Sequence, residues 1–387
     1  MFVRSLKDYN ILLINIDGFR RDKINLCPNM KSLKEKSYYF SNMYTVAPYT
    51  FAALHAIFSG MYPSRNGVNA YYNIFKFKKN EITTLAQHLK NSGYYTCADI
   101  ISESVMPKQG IDEWNIFDEE SVNFQERHRE LIKKLSAKQK FFAFLHFTET
   151  HKHLVRSVVS KYKQESNDDD YFKSKKENDE RFNSYLPMTD EYVNTIINAL
   201  KESGIYDKTI LILFADHGTS IGERKGEKFY GVFAYDYTIG VFTILHIPGE
   251  EPKMVKNQCS TIDLFPTITQ IAGIESNVLK QIQGQSLLDL LDNSSNEERE
   301  VFVETGGLYG PWPSPKKHNV FCLISNKKKL IYNDVPQTWE FYDLNVDQNE
   351  LENIYDENLT IVRKLKEKLI NFLKKNNIQT NLTPDQT

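Results

Sequence analysis

Five short runs of apolar residues divide the first two-thirds of the chain, and segments with a helical pattern lie between them. The runs cover residues 11–16, 94–100, 141–147, 209–215 and 241–247. They are apolar throughout instead of alternating with polar residues, which is typical of strands buried on both faces. Such strands form parallel sheets, and helical crossovers connect them. The pattern therefore predicts an α/β fold with a doubly wound, largely parallel sheet and helices on both of its faces.

The pattern changes after about residue 300. Residues 320–333 and 338–344 have the composition of antiparallel strands joined by tight turns. Residues 359–376 have the apolar spacing of an amphipathic helix. We therefore expect a catalytic core over residues 8–300 and a small C-terminal α+β subdomain over residues 301–387.

One segment of the core departs from the general pattern. Residues 152–185 include the run SKYKQESNDDDYFKSKKENDER, which contains few apolar side chains. A segment of this kind has little apolar surface with which to pack against a sheet. We expect an exposed insertion or a mobile lid at this place.

Composition and charge exclude several kinds of partner. The formal net charge is only -2, so bulk charge indicates no nucleic-acid partner. The chain has no run of about 18 apolar residues and no recognisable leader, so we expect no membrane span and a cytoplasmic location. The four cysteines form no CxxC pair, which argues against a zinc or dithiol site. These features leave the oligomeric state open.

Chemically useful side chains follow or flank several of the apolar runs. Asp17 follows the first run, His151 follows the third, and Asp216 and His217 follow the fourth. Thr50 directly precedes a helical stretch. The carboxyl ends of the strands in a doubly wound sheet share one edge, where ligands bind. We therefore expect these five side chains to form one site.

Two carboxylates at one sheet edge repel each other unless a cation lies between them. Aspartate oxygens and an imidazole nitrogen suit one divalent ion, such as Mn, Zn, Ca or Mg. Such an ion polarises an ester oxygen and lowers the pKa of a nearby hydroxyl, and Thr50 is a weak nucleophile without it. Helix amides at Thr50 would add a site for phosphate or sulfate. His151 is suited to protonate a leaving oxygen or to bind an anionic one.

Each of these residues also has an ordinary structural interpretation. An aspartate after a strand, such as Asp17, commonly caps a turn or a helix. A threonine before a helix, such as Thr50, commonly serves as the N-cap. His146 and His246 lie inside apolar runs, where core histidines with satisfied hydrogen bonds are expected. The occurrence of several such features on successive α/β units favours the functional interpretation.

Several segments together resemble the sulfatase-like branch of the alkaline phosphatase superfamily. NILLINIDGFRRD is similar to the first strand of that branch with its metal-binding acid, and APYTFAALHAIFSGMYPSRNGV is similar to its nucleophile segment. HFTETHKHL and TILILFADHGTSIGE are similar to its strand-plus-histidine segment and to its metal-binding Asp-His pair. The similarity continues through DLFPTITQIAGI to TWEFYDLNVDQNELENIYD. The resemblance implies a metal-dependent enzyme with the fold predicted above.

The resemblance also implies roles for individual residues. Thr50 would be the covalent nucleophile, and His151 would contact the substrate or its leaving group. Lys228 would bind the transferred anion, with Lys225 as the alternative, although either lysine also fits a solvated loop charge. The metal ligands implied by the resemblance are Asp17, Asp216, His217 and Thr50.

Departures from the family pattern bear on the chemistry. Sulfatases of the usual type carry Cys or Ser at the nucleophile position, within C/S-x-P-S-R, and convert it to formylglycine. This chain has Thr50, Ala52 and Leu54 at the corresponding positions. Oxidation of threonine yields a ketone rather than an aldehyde, so the usual mechanism is not expected. Gly18 replaces a second acid common in sulfatases, and an Asp-Gly pair is more familiar in phosphodiesterase and transferase relatives.

We therefore predict a metal-dependent hydrolase or transferase that acts on phosphoesters through a phospho-threonine intermediate. The expected substrates are phosphodiesters or phospho-substituted head groups. Such a substrate would be an anionic ester that is either a small molecule or linked to a glycan or a lipid. A sulfuric ester hydrolase that works without formylglycine is one alternative. An inactive homologue that keeps an anion-binding pocket is another.

Overall fold

The computed structural model describes residues 5–161, 168–279, 281–291, 299–306 and 319–382. These residues form a large mixed sheet flanked by helices and a smaller antiparallel sheet. The strands are β1 (Asn10–Ile16), β2 (Tyr38–Tyr44), β3 (Tyr95–Ile100), β4 (Glu113–Ile116), β5 (Phe141–Phe147), β6 (Thr209–Phe214), β7 (Gly240–His246), β8 (Lys253–Val255), β9 (Cys259–Ser260), β10 (Glu300–Thr305), β11 (Val320–Ser325), β12 (Lys328–Asn333) and β13 (Thr338–Asp343).

The helices pack around these sheets and connect their strands. The α-helices are α1 (Pro28–Lys34), α2 (Thr50–Ser59), α3 (Pro63–Asn66), α4 (Leu85–Asn91), α5 (Phe124–Leu135), α6 (Glu149–Lys161), α7 (Asp168–Lys173), α8 (Lys175–Ser184), α9 (Leu186–Glu202), α10 (Asp236–Ile239), α11 (Leu264–Ile271) and α12 (Thr360–Lys375). Short 3-10 helices cover Arg21–Leu26, Tyr71–Asn73, Tyr206–Lys208, Thr261–Asp263, Ser276–Val278 and Leu287–Leu290.

The large sheet has the strand order β4-β3-β5-β1-β6-β7-β2-β8, and β9 pairs with β2. Strands β4, β3, β5, β1 and β6 are parallel to one another, whereas β7 is antiparallel to both of its neighbours. Every residue of β1, β5 and β6 is buried, as their apolar sequences require. The doubly wound, largely parallel sheet predicted from the sequence is confirmed.

The register of the three central strands positions the site. In β1, Ile16 lies opposite Phe147 of β5, and Asn15 lies opposite Phe214 of β6. The carboxyl ends of these strands therefore reach the same edge of the sheet at the same height. Residues that follow the three strands lie side by side, although they are far apart in the sequence.

Local sequence explains where some of the helices begin. Thr84 and Gln87 form a capping box, in which each side chain bonds to the backbone of the other, and α4 begins there. The side chain of Asn123 accepts a hydrogen bond from Glu126 N and caps α5 in the same way. These caps satisfy amide groups that have no partner within their helices.

The smaller sheet has the order β10-β11-β12-β13 and is antiparallel throughout. Apolar residues of α12, including Leu365, Leu369 and Leu373, pack against one face of it. The other face packs against Tyr235 and Ile239 of the core. The predicted antiparallel strands and terminal helix are present, and the proposed boundary at residue 300 stays a prediction. In the described ranges, no helix combines the length and the apolar character that crossing a bilayer requires.

The expectation of an exposed insertion or a mobile lid at residues 152–185 stays a prediction, although several residues of this segment are buried against the core. Its described residues form the helices α6, α7 and α8. Tyr171 and Phe182 are almost completely buried, and the hydroxyl of Tyr171 donates a hydrogen bond to Lys228 O at 2.6 Å. Asn178 Nδ2 donates to Ile221 O at 3.1 Å. Two aromatic anchors and these polar contacts hold the segment against the core.

Candidate active site

Four of the predicted site residues converge at the carboxyl edge of the large sheet. Thr50 Oγ1 lies 3.1 Å from His217 Nε2 and 3.4 Å from Asp17 Oδ2. His217 Nε2 lies 3.6 Å from Asp17 Oδ1 and 3.7 Å from Asp216 Oδ2. All four residues are more than nine-tenths buried. The structure thus brings acid, imidazole and hydroxyl groups into one cluster.

The turn after β1 requires glycine. Gly18 has a φ angle of 63°, in the left-handed region that glycine adopts without strain. A Cβ atom there would lie 2.9 Å from Thr219 Oγ1 and 3.1 Å from His151 Cδ2. The turn also directs Gly18 N toward Asp216 Oδ1, at 3.3 Å. A larger residue at this position would need the strained left-handed backbone and a shift of the Thr219 and His151 side chains.

Thr50 is not the N-cap of its helix. The N-cap of α2 is Tyr49, and no side chain makes a capping hydrogen bond there. Thr50 is the first helical residue, and its hydroxyl contacts Asp17 and His217 instead. The structural interpretation of Thr50 is therefore wrong, and the residue is free to act on a ligand at the positive end of α2.

Two buried carboxylate oxygens in the cluster, Asp17 Oδ1 and Asp216 Oδ2, have no hydrogen-bond partner among the described residues. One ligand atom from each of Asp17, Asp216 and His217 lies within 4.8 Å of the others. A buried charged oxygen without a partner is costly, at more than about 1–3 kcal/mol. A divalent cation between the two oxygens would remove this cost, so the donor set fits such an ion.

The surroundings shift the pKa values of Asp17 and Asp216 in opposite directions. Burial by itself opposes ionisation of Asp17, but the imidazoles of His151 and His146 outweigh burial and lower the pKa of this carboxyl. Burial raises the pKa of Asp216, His217 offsets part of that rise, and the Asp17 charge adds to it. The protein alone therefore makes ionisation of Asp216 harder than ionisation of Asp17. A cation is the kind of group that would stabilise both charges.

His146 belongs to the site, which the sequence interpretation missed. Its Nε2 lies 2.8 Å from Asp17 Oδ2, and its Nδ1 is buried without a partner in the described part of the chain. The expectation of a fully satisfied core histidine is therefore wrong. The sequence did contain a signal, because His146 and Asn15 are polar residues inside otherwise apolar runs. In the structure the two residues lie opposite each other in neighbouring strands. Asn15 Oδ1 in turn accepts a hydrogen bond from Asp216 N at 3.0 Å.

His151 lies beside the cluster at the first turn of α6. Its Nδ1 is 4.0 Å from Asp17 Oδ1, and its Nε2 is buried with no hydrogen-bond partner among the residues that are described. The imidazole is thus near the predicted nucleophile and retains an unused nitrogen. This placement is compatible with the role that the resemblance implies.

Two tyrosines that the sequence interpretation did not single out cover the cluster. The ring centroid of Tyr230 lies 4.3 Å from that of His217 and 5.2 Å from that of His151. Tyr71 stacks on Tyr49, with the ring centroids 4.8 Å apart. Tyr71 and Tyr230 pack against the same small cluster around Tyr49, and burial raises the pKa of both phenol groups. Two separate loops therefore meet above the cluster.

The two candidate lysines have different environments. Lys228 is buried two residues before Tyr230, in the loop that covers His217. Lys225 is largely exposed, and its Nζ lies 2.9 Å from Asp169 Oδ1. The structure therefore favours Lys228 over Lys225 as the residue near a ligand, and its role in anion binding stays a prediction.

The fold and the cluster define a class of protein, namely an α/β fold with an Asp-Asp-His group that could hold a cation, beside a hydroxyl at a helix N-terminus. A sequence profile of the sulfatase family matches residues 9–274. This chain belongs to the sulfatase family, and thereby to the sulfatase-like branch of the alkaline phosphatase superfamily. A second profile, "N-sulphoglucosamine sulphohydrolase, C-terminal", matches residues 226–375.

Curated relatives match part of the chain. Arylsulfatase K of Mus musculus is 31% identical over 191 residues, which are 47% of this chain and 33% of that protein. N-acetylglucosamine-6-O-sulfatase of Bacteroides thetaiotaomicron is 29% identical over 177 residues, which are 43% of this chain and 30% of that protein. The aligned part thus spans about a third of the length of these relatives.

Solved structures match nearly the whole chain. A protein in complex with its substrate D-glucosamine-2-N,6-O-disulfate has a TM-score of 0.77 at 17% identity, covering 96% of this chain and 98% of that one. Phosphonate monoester hydrolase from Silicibacter pomeroyi has a TM-score of 0.73 at 15% identity, covering 96% of both chains. At these identities the similarity establishes the fold alone.

Proposed function

We propose that this chain is a metal-dependent hydrolase of sulfuric esters that uses the unmodified hydroxyl of Thr50 as its nucleophile. One observation carries the proposal: Thr50 Oγ1 lies 3.1 Å from His217 Nε2 and 3.4 Å from Asp17 Oδ2, inside a cluster suited to a cation. Membership of the sulfatase family supports sulfate as the transferred group. This choice replaces the phosphoester expectation, which the family relationship supports less well.

Asp17, Asp216 and His217 would hold the cation, and Thr50 would lie beside it. When bound, a divalent ion polarises an ester oxygen and lowers the pKa of a neighbouring hydroxyl. His146 supports this arrangement by its contact with Asp17, which fixes the orientation of that carboxylate. The ion could be Mn, Zn, Ca or Mg, because this donor set suits each of them.

The reaction would proceed in two steps at Thr50. Its Oγ1 would lose its proton to solvent and attack the sulfur atom while the bond from sulfur to the alcohol oxygen breaks. His151, which has an unused buried nitrogen, would donate a proton to the departing oxygen. Water would then attack the sulfo-threonine ester and return a proton to His151, so that sulfate leaves and Thr50 Oγ1 takes up a proton from solvent again. Lys228 and the first amides of α2 would bind the anionic oxygens of the transferred group.

Phosphoester hydrolysis or transfer is the second candidate, and two observations favour it. Thr50 cannot yield the aldehyde on which usual sulfatases depend. Position 18 is a glycine in a left-handed turn, so the chain lacks the second acid that those enzymes carry. The same cluster would then form a phospho-threonine intermediate, which water or an acceptor alcohol would resolve.

The test compares Thr50→Val, which removes the hydroxyl at nearly constant volume, with Thr50→Ser, which keeps it. Metal-stripped protein receives Mn, Zn, Mg or Ca, and initial rates are measured on aryl sulfates, aryl phosphates and aryl phosphodiesters. We expect Thr50→Val to lose at least roughly a thousandfold in kcat and Thr50→Ser to retain partial activity. A Thr50→Val enzyme as active as the wild type would refute the covalent scheme.

The substrate panel separates the candidate functions. Preference for sulfates, with a radiolabelled sulfo-enzyme that forms in the wild type and not in Thr50→Val, supports the first proposal. Preference for phosphate esters supports the second candidate. An absence of turnover on natural esters as well as aryl esters would indicate an inactive homologue that binds anions.

A further inference from the structure

A loop beside the site has an unusual composition. Residues 71–81, which we call the basic loop, read YYNIFKFKKNE and contain three lysines and one glutamate. The chain as a whole has a net charge of -2, so positive charge is concentrated here. Lys78 N donates a hydrogen bond to Asn66 O at 3.0 Å, which fixes the end of the loop against the turn after α3.

The basic loop is anchored along the helix that carries Thr50. At its start, Tyr71 stacks on Tyr49 and packs with Tyr230 against the same small cluster beside Thr50. Near its end, the ring of Phe77 lies 5.2 Å from that of His55, in the second turn of α2. At a rise of 1.5 Å per residue, His55 is about 7 Å further along the helix axis than Thr50. The loop therefore extends outward from the site along α2.

The outer part of the loop presents side chains that the fold itself does not use. Phe75 is 83% exposed, which is unusual for a large aromatic residue. Lys76, Lys78 and Lys79 are exposed too, and no carboxylate of a described residue pairs with them. An exposed apolar ring in the same short loop as three exposed ammonium groups is suited to a partner with ring-shaped apolar faces and repeated anionic groups.

We propose that the basic loop binds a polyanionic glycan, so that sulfated sugars next to the one being hydrolysed contact Phe75 and the three lysines. This inference rests on the proposed function and deepens it by naming the substrate class. Tyr71 of the loop stacks on Tyr49, the residue before Thr50, so a chain with one ester at Thr50 would have the loop beside it. That proximity favours a substrate over an anionic lipid surface, which would need no connection to Thr50.

Binding is measured in the Thr50→Val background, so that the ligand is not consumed, with a heparin-derived octasaccharide as the probe. We expect the triple variant Lys76→Gln, Lys78→Gln, Lys79→Gln to raise Kd at least about tenfold at low ionic strength. The difference in Kd between the triple variant and its parent should shrink as salt is added, because salt screens exposed charges. Phe75→Ala should weaken binding at all salt concentrations, because its contribution does not depend on charge.

A matched control removes three other exposed lysines, Lys36, Lys138 and Lys208, which precede β2, β5 and β6 at the opposite edge of the sheet. The control should bind the octasaccharide like its parent, and thermal unfolding should show that both triple variants fold. Equal weakening in the two triple variants, or weakening in neither, would overturn the proposal. So would binding to phosphatidylserine vesicles in place of the octasaccharide.

The two proposals fail in distinguishable ways. Loss of the expected binding difference in the Thr50→Val background refutes the role of the basic loop alone, since that background requires no turnover. Absence of sulfate release by the wild type refutes the proposed reaction alone, since binding to the loop does not depend on it.

Discussion

Two regions of this molecule differ in how their buried acids are stabilised. Under the small sheet, both oxygens of Glu350 have donors, Lys329 Nζ and Asp236 N, the latter at 2.8 Å. Both oxygens of Asp236 lie 2.6 Å from Arg21 Nη2. Lys329 and Glu350 are almost fully buried. Every acidic oxygen in this network therefore has a donor within the protein.

The cluster around Thr50 leaves two acidic oxygens without donors. Asp17 Oδ1 and Asp216 Oδ2 are equally buried, and neither has a hydrogen-bond partner among the described residues. Lysine and arginine stabilise the first network, whereas the second is suited to a cation from outside. The comparison teaches that the two networks differ in whether the protein itself supplies a donor to every oxygen of its paired acids.

A third arrangement uses neither a lysine nor a cation. Glu227, in the loop that carries Tyr230, accepts hydrogen bonds from Val232 N and Phe233 N at 2.8 and 3.0 Å. Burial raises the pKa of its carboxyl to about 7. This acid therefore stays largely protonated below neutral pH and holds the loop in place by accepting amide hydrogens.

Asp216→Asn should give the largest effect on activity. It removes a proposed ligand, so we expect kcat to fall by at least roughly a thousandfold and cation binding to be lost. Stability without metal should stay the same or rise, because a buried charge near Asp17 is removed. Steady-state kinetics and urea unfolding of metal-stripped protein test both parts, and a marked loss of stability would contradict the comparison.

Glu350→Gln should show the opposite pattern. It leaves Lys329 buried without its partner, so the free energy of unfolding should fall by about 3–5 kcal/mol while kcat is unchanged below the unfolding transition. Glu177→Gln removes an exposed partner of Lys161 and is the matched control, with no measurable change expected. A loss of kcat in a folded Glu350→Gln protein would show that the two regions are not independent.

Glu227→Gln should have a pH-dependent effect on stability. The pKa of about 7 in the folded chain lies above the ordinary 4.5, so the folded state holds the proton more tightly than the unfolded state. The stabilisation that Glu227 contributes is therefore fully present below pH 4.5, and it is lost as the pH rises through about 7. We expect the variant to match the wild type at pH 4 and to exceed it by about 2–3 kcal/mol at pH 8. Urea unfolding across this range is the measurement, and a pH-independent difference would contradict the assignment.

His146→Ala should have the smallest of the four effects. It removes the contact with Asp17, so cation affinity should fall by about 10–100-fold, which is about 1.4–2.8 kcal/mol. His146→Gln keeps a donor of similar reach and should recover part of the affinity. Titration of Mn into metal-stripped protein measures both variants. Unchanged affinity in His146→Ala would mean that this histidine does not orient Asp17.

The sequence was sufficient to predict the central cluster, because the argument depended only on strand ends. Asp17, Asp216 and His217 each follow a buried parallel strand, and the common edge of such strands brings them together. The placement of Thr50 at the start of a helix followed from the same pattern. Fold class was predictable for this reason too, since uniformly apolar runs between helices permit few other architectures.

Other parts could not be predicted, because they depend on side-chain contacts between distant loops. Tyr71 and Tyr230 meet above the site, and nothing in the sequence near either residue indicates the other. The polar composition of residues 152–185 concealed two buried anchors, Tyr171 and Phe182. Average polarity was misleading there because a few aromatic residues are enough to hold a helical segment against a core.

The most direct test of the central claim is anomalous diffraction from crystals soaked in Mn. The account predicts one strong peak within about 2.0–2.3 Å of oxygens from Asp17 and Asp216 and of a nitrogen from His217. The peak should be absent in crystals of Asp216→Asn and present in those of Glu350→Gln. A peak that lies elsewhere, or no peak in the wild type under conditions that support activity, would contradict the claim that these residues hold the catalytic cation.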